Sequence, residues 1–316
     1  MRLSLIALSM SLLVLAVAMP AEAETFDCRQ PTMPLGRLIC NDAALRTADA
    51  EESDVYDAAL LASLDRPSLR DEERVWFDHE ILPYNWFAQQ HMPVDNSKVA
   101  EIYRRRSTAL REETRDWRKL RHSVPSATLA TTCLALPQRS GDCTVAAFAP
   151  IEGVPTLRYQ QQTYAQPAAS SVIVILAAVP DHPDGWLPLA VASSAHPLTQ
   201  PQAIASPAGT LLVIAGNGDS DASALYRLDK DALQDIDDRS WLETLRSRLP
   251  DGLALSSDIV ADYGKMQAAS KVTRSQSTCC AVGSTATIDL TIENDRVVVS
   301  GVTFGEPSGS PNDHAN

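Results

Sequence analysis

The sequence predicts an α+β chain: an N-terminal helical hairpin or three-helix unit pinned by a disulfide, then a mainly antiparallel β region with one or two helices. Three features carry this. Cys28 and Cys40 bracket a short loop with two prolines and a glycine, and an acidic amphipathic helix follows directly. Apolar residues then recur at three- and four-residue steps as far as Leu120, the period of a helix with one buried face. Beyond residue 123 that period gives way to short apolar or alternating runs bounded by Pro, Gly, Asp and Asn, which read as strands and turns.

The chain opens with the pattern of a removable export signal. Met1-Arg2 is a minimal positive start, Leu3 to Met19 is apolar or small throughout, and Ala21-Glu22-Ala23 is an A-x-A cleavage site. Residues 1–23 are therefore expected to be a signal peptide, with the mature chain starting near Glu24. An uncleaved anchor would need a stretch at the short limit for spanning a bilayer. Phe26-Asp27 ahead of Cys28 lacks the small residues a lipoprotein signal needs, and no later segment is apolar enough to cross. The expected location is the periplasm or the extracellular space, where thiols oxidise.

Six cysteines, Cys28, Cys40, Cys133, Cys143, Cys279 and Cys280, suit three disulfides. Six permit about fifteen connectivities. Cys28 with Cys40 is the clearest local pair, and closing a loop of that size contributes on the order of 3 kcal/mol. Cys133 with Cys143 is the next, leaving adjacent Cys279 and Cys280 to bridge each other or to share those partners. A structural role for all six is expected, since neither C-x-x-C nor zinc-type spacing occurs.

The helical region, residues 24–122, starts its first long helix after Asn41-Asp42, which can cap it, with Leu45, Ala48, Val55, Tyr56, Ala59 and Leu60 on the buried face. Pro67 starts a second element carrying Leu69, Trp76, Phe77 and Ile81, which Pro83 should interrupt. After Pro93, a third helix from about Ser97 carries Val99, Ile102, Tyr103, Leu110, Trp117 and Leu120. Residues 24–80 hold 14 acids and 6 bases, residues 95–121 hold 5 acids and 9 bases, so antiparallel packing would let the first and third helices neutralise each other. Arg104-Arg105-Arg106 suggests nucleic acid only in isolation. In an acidic chain of net charge −13 these arginines are expected to be solvated or paired with the first helix.

The β region, residues 123–305, contains strand-like runs at Ser171 to Val179, Thr210 to Ile214, Thr285 to Ile292 and Arg296 to Phe304. The last two form a hairpin through Glu293-Asn294-Asp295. Ser240-Trp241-Leu242-Glu243 reads as a capping box opening a helix that Pro250 ends. No repeat recurs at fixed spacing, so a propeller is not predicted. The tail, residues 306–316, is expected to be disordered.

Chemistry-bearing patterns are sparse. The six histidines form no His-Glu-x-x-His pair, and no phosphate-cradling Gly loop or Gly-x-Ser-x-Gly elbow occurs. Asp181 to Gly185 and Asn217 to Asp221 lack the closing Glu of a calcium loop and read as turns. Asp235, Asp237 and Asp238 read as favourable charge ahead of a helix rather than an acid/base set. No catalytic residue, metal or cofactor is expected.

Phe26-Asp27-Cys28, Leu38-Ile39-Cys40-Asn41-Asp42, Leu45, Asp49, Tyr56 and Arg74-Val75-Trp76, followed by Ile102-Tyr103-Arg104-Arg105-Arg106 and Ala109-Leu110, resemble the N-terminal domain of the lysozyme inhibitor LprI family. The resemblance covers residues 25–120. Members of the family usually carry one further cysteine after the Trp and another before the last helix; this chain has neither. The resemblance implies an exported, non-catalytic helical module, associated in some members with lysozyme inhibition. On charge, Asp49, Glu51, Glu52, Asp54 and Asp57 of the first long helix are the expected contact surface for lysozyme or another basic partner. The alternative is a periplasmic binding or structural protein of the cell envelope without action on lysozyme.

Overall fold

A computed structural model describes Phe26 and residues 28–305, apart from 138, 140, 166–169, 181, 217–221, 230–231, 250–252, 256–258 and 275–280. The expected signal peptide and tail, Cys279 and Cys280, Asp181, Asn217 to Asp221, and Pro250 lie outside the described residues. The architecture is α+β, with antiparallel sheets. No helix among the described residues is long and apolar enough to cross a membrane.

Helices come first: α1 (Pro34–Asn41), α2 (Ala43–Ala62), α3 (Arg66–Trp76), a π turn (Phe77–Ile81), α4 (Leu82–Gln89) and α5 (Asn96–Lys119). The Cys28–Cys40 disulfide ties the preceding loop to α1, and Cys133–Cys143 is the second bridge. Asp42 caps α2 by accepting from the N–H groups of Ala44 and Leu45, while its second oxygen accepts from Asn96 Nδ2 at 2.7 Å. Asp95 caps α5 in the same way. These donors hold both carboxyls below the ordinary aspartate range, the Leu45 N–H first for Asp42 and the Ser97 side chain first for Asp95.

Two expectations need correction. Pro83 does not interrupt the second helix. The backbone passes through the π turn, in which Leu82 N–H bonds to Phe77 O, and Pro83 falls in the first turn of α4, where a missing N–H costs nothing. Nor do the first and third long helices run antiparallel. The starts of α2 and α5 meet at Asp42–Asn96 and their ends meet where Arg121 donates to the carbonyls of Leu61 and Ala62. The two are parallel because α3, the π turn and α4 carry the chain back to its origin.

Two cores fill the helical region. Leu35, Ile39, Leu45, Ile81, Val99, Ile102 and Tyr103 form one, with Phe26, Trp76 and Phe77 against it; Ala59, Leu69 and Leu110 form the other, with Val55, Tyr56 and Leu60. The last turn of α5 leaves this region, and Trp117 and Leu120 pack with the first β-sheet instead.

That sheet contains β1 (Val124–Pro125), β2 (Cys143–Ile151), β3 (Val154–Tyr164), β4 (Ser170–Val179) and β5 (His182–Ser194), in the order β1-β5-β4-β3-β2, with α6 (Ser126–Thr131) after β1. A second sheet runs β6 (Gln202–Ser206), β7 (Gly209–Ala215), β8 (Ala222–Asp229), β9 (Ala232–Ile236) in sequence order. After α7 (Ser240–Arg248), a third sheet comprises β10 (Leu253–Leu255), β11 (Val260–Asp262), β12 (Gln267–Arg274), β13 (Ala281–Glu293) and β14 (Arg296–Phe304), with β10 and β11 both on β12.

The sheets stack face to face, and the period-two geometry of a strand does the sorting. Val172, Val174 and Leu176 face the core shared with Trp117 and Leu129. Ile173 and Ile175 face the core shared with Leu212, Ile214 and Tyr226 of the second sheet. Leu211 and Leu225 turn the other way, toward Trp241, Ile288, Leu290 and Val299. Covered on both faces, β4 and β7 are continuous apolar runs rather than alternating ones. Three successive meanders thus stack without a repeat in the sequence.

Local turn chemistry is partly as expected. Asn294 and Asp295, at φ 50° and 61°, make a two-residue turn between paired Glu293 and Arg296, the conformation that suits strand twist. Ser240 does not cap α7 as expected. Ser240 is the first helical residue, and the Asp237 carboxylate caps the helix by accepting from Arg239 and Ser240 N–H, each at 3.1 Å.

Two buried polar devices fasten the layers. Val191 lies on β5, whose outer edge β1 covers only at Gly185 and Trp186. Its N–H donates to Leu64 O at 2.7 Å, from the α2–α3 connection, and its carbonyl accepts from Tyr226 Oη at 3.1 Å, from β8. On β3, fully buried Gln160 donates to the carbonyls of Leu129 and Thr132, and accepts from Gln162 Nε2 at 2.7 Å; Tyr164 Oη in turn donates to Gln162 Oε1 at 2.8 Å. This chain satisfies the backbone that leads into the Cys133–Cys143 loop.

Both devices are open to measurement by chemical denaturation. Tyr226→Phe leaves the Val191 carbonyl buried without its donor and is expected to lower stability by about 1–3 kcal/mol. Gln160→Leu strands two carbonyls and is expected to cost at least as much, about 2–4 kcal/mol.

Candidate functional site

The densest polar chemistry surrounds α3, whose sequence Arg66-Pro-Ser-Leu-Arg-Asp-Glu-Glu-Arg puts charge on every side of a helix with one apolar anchor, Leu69. Each side meets a different element.

Toward the second sheet, Arg70 forms a bidentate pair with buried Asp235, and Asp71 bonds Arg239 while also accepting from Arg74 at 3.3 Å. Planar guanidinium–carboxylate forks fix orientation as well as charge. Burial pushes Asp237 upward, but the N–H groups of Arg239 and Ser240 together with Arg70 outweigh it, leaving this carboxyl below its ordinary value. Asp238, buried beneath Tyr263, is pushed up to about 7 by desolvation. The three aspartates thus serve an ion pair, a helix cap and a buried acid.

Toward the helical interior, Glu73 accepts from Arg106 Nε at 2.9 Å. Glu52 of α2 joins this pair. Burial first, and Glu73 second, push its carboxyl up to about 8, so near neutrality it holds a proton and donates to Glu73. Asp49 is raised by burial. Trp76 meets Tyr103 edge-on at 5.6 Å, with Arg106 at 6.0 Å from its ring. The residues Asp49, Trp76, Tyr103 and Arg106 therefore converge inside the helices.

Toward the first sheet, α3 and α5 enclose a pocket of about 140 Å³ with Asp65, Ser68, Glu72, Glu113, Trp117 and Arg139 in its wall. Asp65, the cap of α3, accepts from Ser68 N–H at 3.3 Å and from Ser193 Oγ at 2.6 Å. Glu113 accepts from Trp117 Nε1 at 3.0 Å, an i,i+4 contact along α5. Glu72 stands at the mouth, pushed up to about 7 by burial and then by the Glu113 charge. Three carboxyls face one arginine around a volume suited to a guanidinium or ammonium group, with an indole forming one wall. A larger groove of about 470 Å³ lies between the second and third sheets, but its charges are already matched: Arg227 with Gln234 and Asp295, Lys265 with Asp262, Asp289 with Gln267.

The expected contact surface on α2 is not a single surface. Asp49 and Glu52 are 8% and 7% exposed and face the helical interior, because that stripe of α2 lies against Glu73, Tyr103 and Arg106. Glu51 pairs with Arg111 on the outside. Asp54 is exposed and Asp57 half-buried. The arginine triplet pairs as expected but with other partners: Arg104 with Glu101, Arg105 with Glu80 at 3.9 Å, Arg106 with Glu73. Among the described residues of these helices, only Arg111 of α5 forms an ion pair with α2. Among the described residues, no group of three or more His, Cys, Asp or Glu could hold a metal ion. Asp65, Glu72 and Glu113 were not among the expected site residues. The signal for them was present: Asp65-Arg66-Pro67 is a capping pattern, and Glu113 and Trp117 stand one helical turn apart.

Comparison with protein-family models, with curated proteins and with solved structures finds no match to this chain.

Glu52 carries a sign that can be tested. A carboxyl raised from 4.5 to about 8 by folding binds a proton that the unfolded chain has released across that window, so its contribution to stability falls as pH rises from 5 to 8. Glu52→Gln keeps a donor toward Glu73 and removes the titration. The variant is expected to show a shallower decline of unfolding free energy over this window and, at pH 8, a gain on the order of 1–2 kcal/mol. A decline as steep as in the parent chain would refute the assignment.

Proposed function

We propose that this chain is an exported, non-catalytic binding protein for a basic protein partner, and that an animal-type lysozyme is the partner its LprI-like region takes. The observation that carries the reading is the acid-lined pocket beside α3, where Asp65, Glu72 and Glu113 outnumber Arg139 beside Trp117, on a chain of net charge −13. A lysine or arginine side chain entering that pocket exchanges water for carboxylates in a partly desolvated setting, where charge attraction is stronger than in bulk solvent. The wider acidity steers basic proteins toward the surface before contact. Animal-type lysozymes are basic and cut with two carboxylates in a cleft, so occluding that cleft inhibits without chemistry.

The two disulfides, Cys28–Cys40 and Cys133–Cys143, and the signal-like residues 1–23 support placement in an oxidising compartment outside the cytoplasm. One observation favours the alternative of an envelope binding or structural protein with no action on lysozyme: Asp49 and Glu52 turn inward, which removes two charges from the face of α2.

A cell-wall clearing assay separates the readings. The mature chain from Glu24 onward is expected to slow an animal-type lysozyme at micromolar concentration, with potency falling as salt rises from about 0.05 to 0.3 M. Absence of inhibition at micromolar excess over several lysozymes sinks the inhibitor reading and leaves the envelope role.

A further inference from the structure

Among the described residues six large hydrophobic side chains stand exposed, and four of them, Val75, Leu82, Trp86 and Met92, fall within a single stretch of the α3–α4 rod and its exit. Trp86 is 55% exposed and Leu82 37%. They lie four residues apart on α4, hence on the same face of the helix. α4 buries no residue fully, yet its position is fixed. Asn85 Oδ1 accepts from Leu35 N–H at 3.1 Å at the start of α1, Tyr84 packs on the core formed by Leu35 and Ile39, and Phe87 meets the Trp86 ring edge-on at 5.2 Å. After α4, Met92 N–H bonds to Phe87 O at 3.0 Å with His91 at φ 55°, a left-handed stop that closes the helix end.

We infer that this outward face of α4, anchored by Leu82 and Trp86, is where the basic protein partner docks, an inference that rests on the proposed function and names its contact surface. A rigid helix presenting an indole and an aliphatic chain one turn apart loses little conformational freedom on binding, and tryptophan is foremost among residues that dominate interface energy. Charge selects the occupant. Of the five acids in residues 71–91, Asp71 and Glu73 are already paired and Glu72 lines the α3 pocket, which leaves Asp78 and Glu80 on the approach to α4. Asp78 has no ion-pair partner among the described residues, and exposed Glu80 comes only within 3.9 Å of Arg105. Both belong to the π turn that leads into α4. A second copy of this chain would bring the same acids to a two-fold contact, and an anionic lipid surface would repel them. A basic partner with an apolar groove is matched on both counts.

Isothermal titration of an animal-type lysozyme with the full mature chain provides the test, beside the double variant Leu82→Ala with Trp86→Ala. Both side chains are exposed, so circular dichroism and melting temperature should be unchanged, while affinity is expected to fall at least about tenfold. Equal affinity of parent and variant overturns the docking surface and leaves the basic-partner reading standing. Failure of the parent chain to bind overturns both. A dimer of the parent chain in sedimentation that the double variant abolishes gives the face to a second copy and overturns the inference too.

Discussion

The two polar groups of one residue, Val191, hold the molecule's layers in register. On the outer edge of β5 they point away from β4 and cannot be satisfied within the sheet beyond the short reach of β1. Buried backbone groups without partners are costly, and here each partner comes from a different layer: Leu64 O from the turn between α2 and α3, Tyr226 Oη from β8. Covering the edge also removes a template for intermolecular strand pairing. The same short turn supplies Asp65, which bonds Ser193 two residues further along β5 and starts α3 by capping it. Helical region, first sheet and second sheet are thus fastened within three residues of one strand.

Charge follows from that docking. Once α3 is seated on β5, several of its charges lose water and find a counterpart: Arg70 with Asp235, Asp71 with Arg239, Glu73 with Arg106. Breaking one member of such a pair costs more than the pair contributes, since the survivor is left as an uncompensated buried charge. Glu72 and Glu113 have no such counterpart of their own besides Arg139 in the pocket wall. The imbalance that marks the pocket is therefore a by-product of how α3 distributes its charges among three neighbours.

Much of the framework was legible in the residues. The apolar stripes of α2, of α3 and of α5 as far as Leu110 line the helical cores where their spacing placed them, because a helix period is a local property, while Trp117 and Leu120 pack on the first sheet instead. Cys28–Cys40 and Cys133–Cys143 pair locally, and the Asn294-Asp295 turn and the α7 helix lie where turn residues and periodicity put them. Strands β3 and β5 were not legible. On β3, Gln160 and Gln162 are fully buried and bonded across to α6 and its exit. Asp49 and Glu52, expected on an exposed contact surface, turn inward for the same reason: burial of a polar side chain depends on a partner distant in sequence.

Sequence by itself determined the α+β class, the helical stripes, the local disulfides and the strong acidity, since each depends on residues close together in the chain or on composition. Tertiary structure alone decided that α2 and α5 run parallel, that three sheets stack, that two acids of α2 turn inward while Asp65, Glu72 and Glu113 converge, and that Trp86 stands outside the core. Those outcomes depend on which surfaces meet across long separations, and no local spacing encodes the partner that a buried hydrogen bond or charge will find.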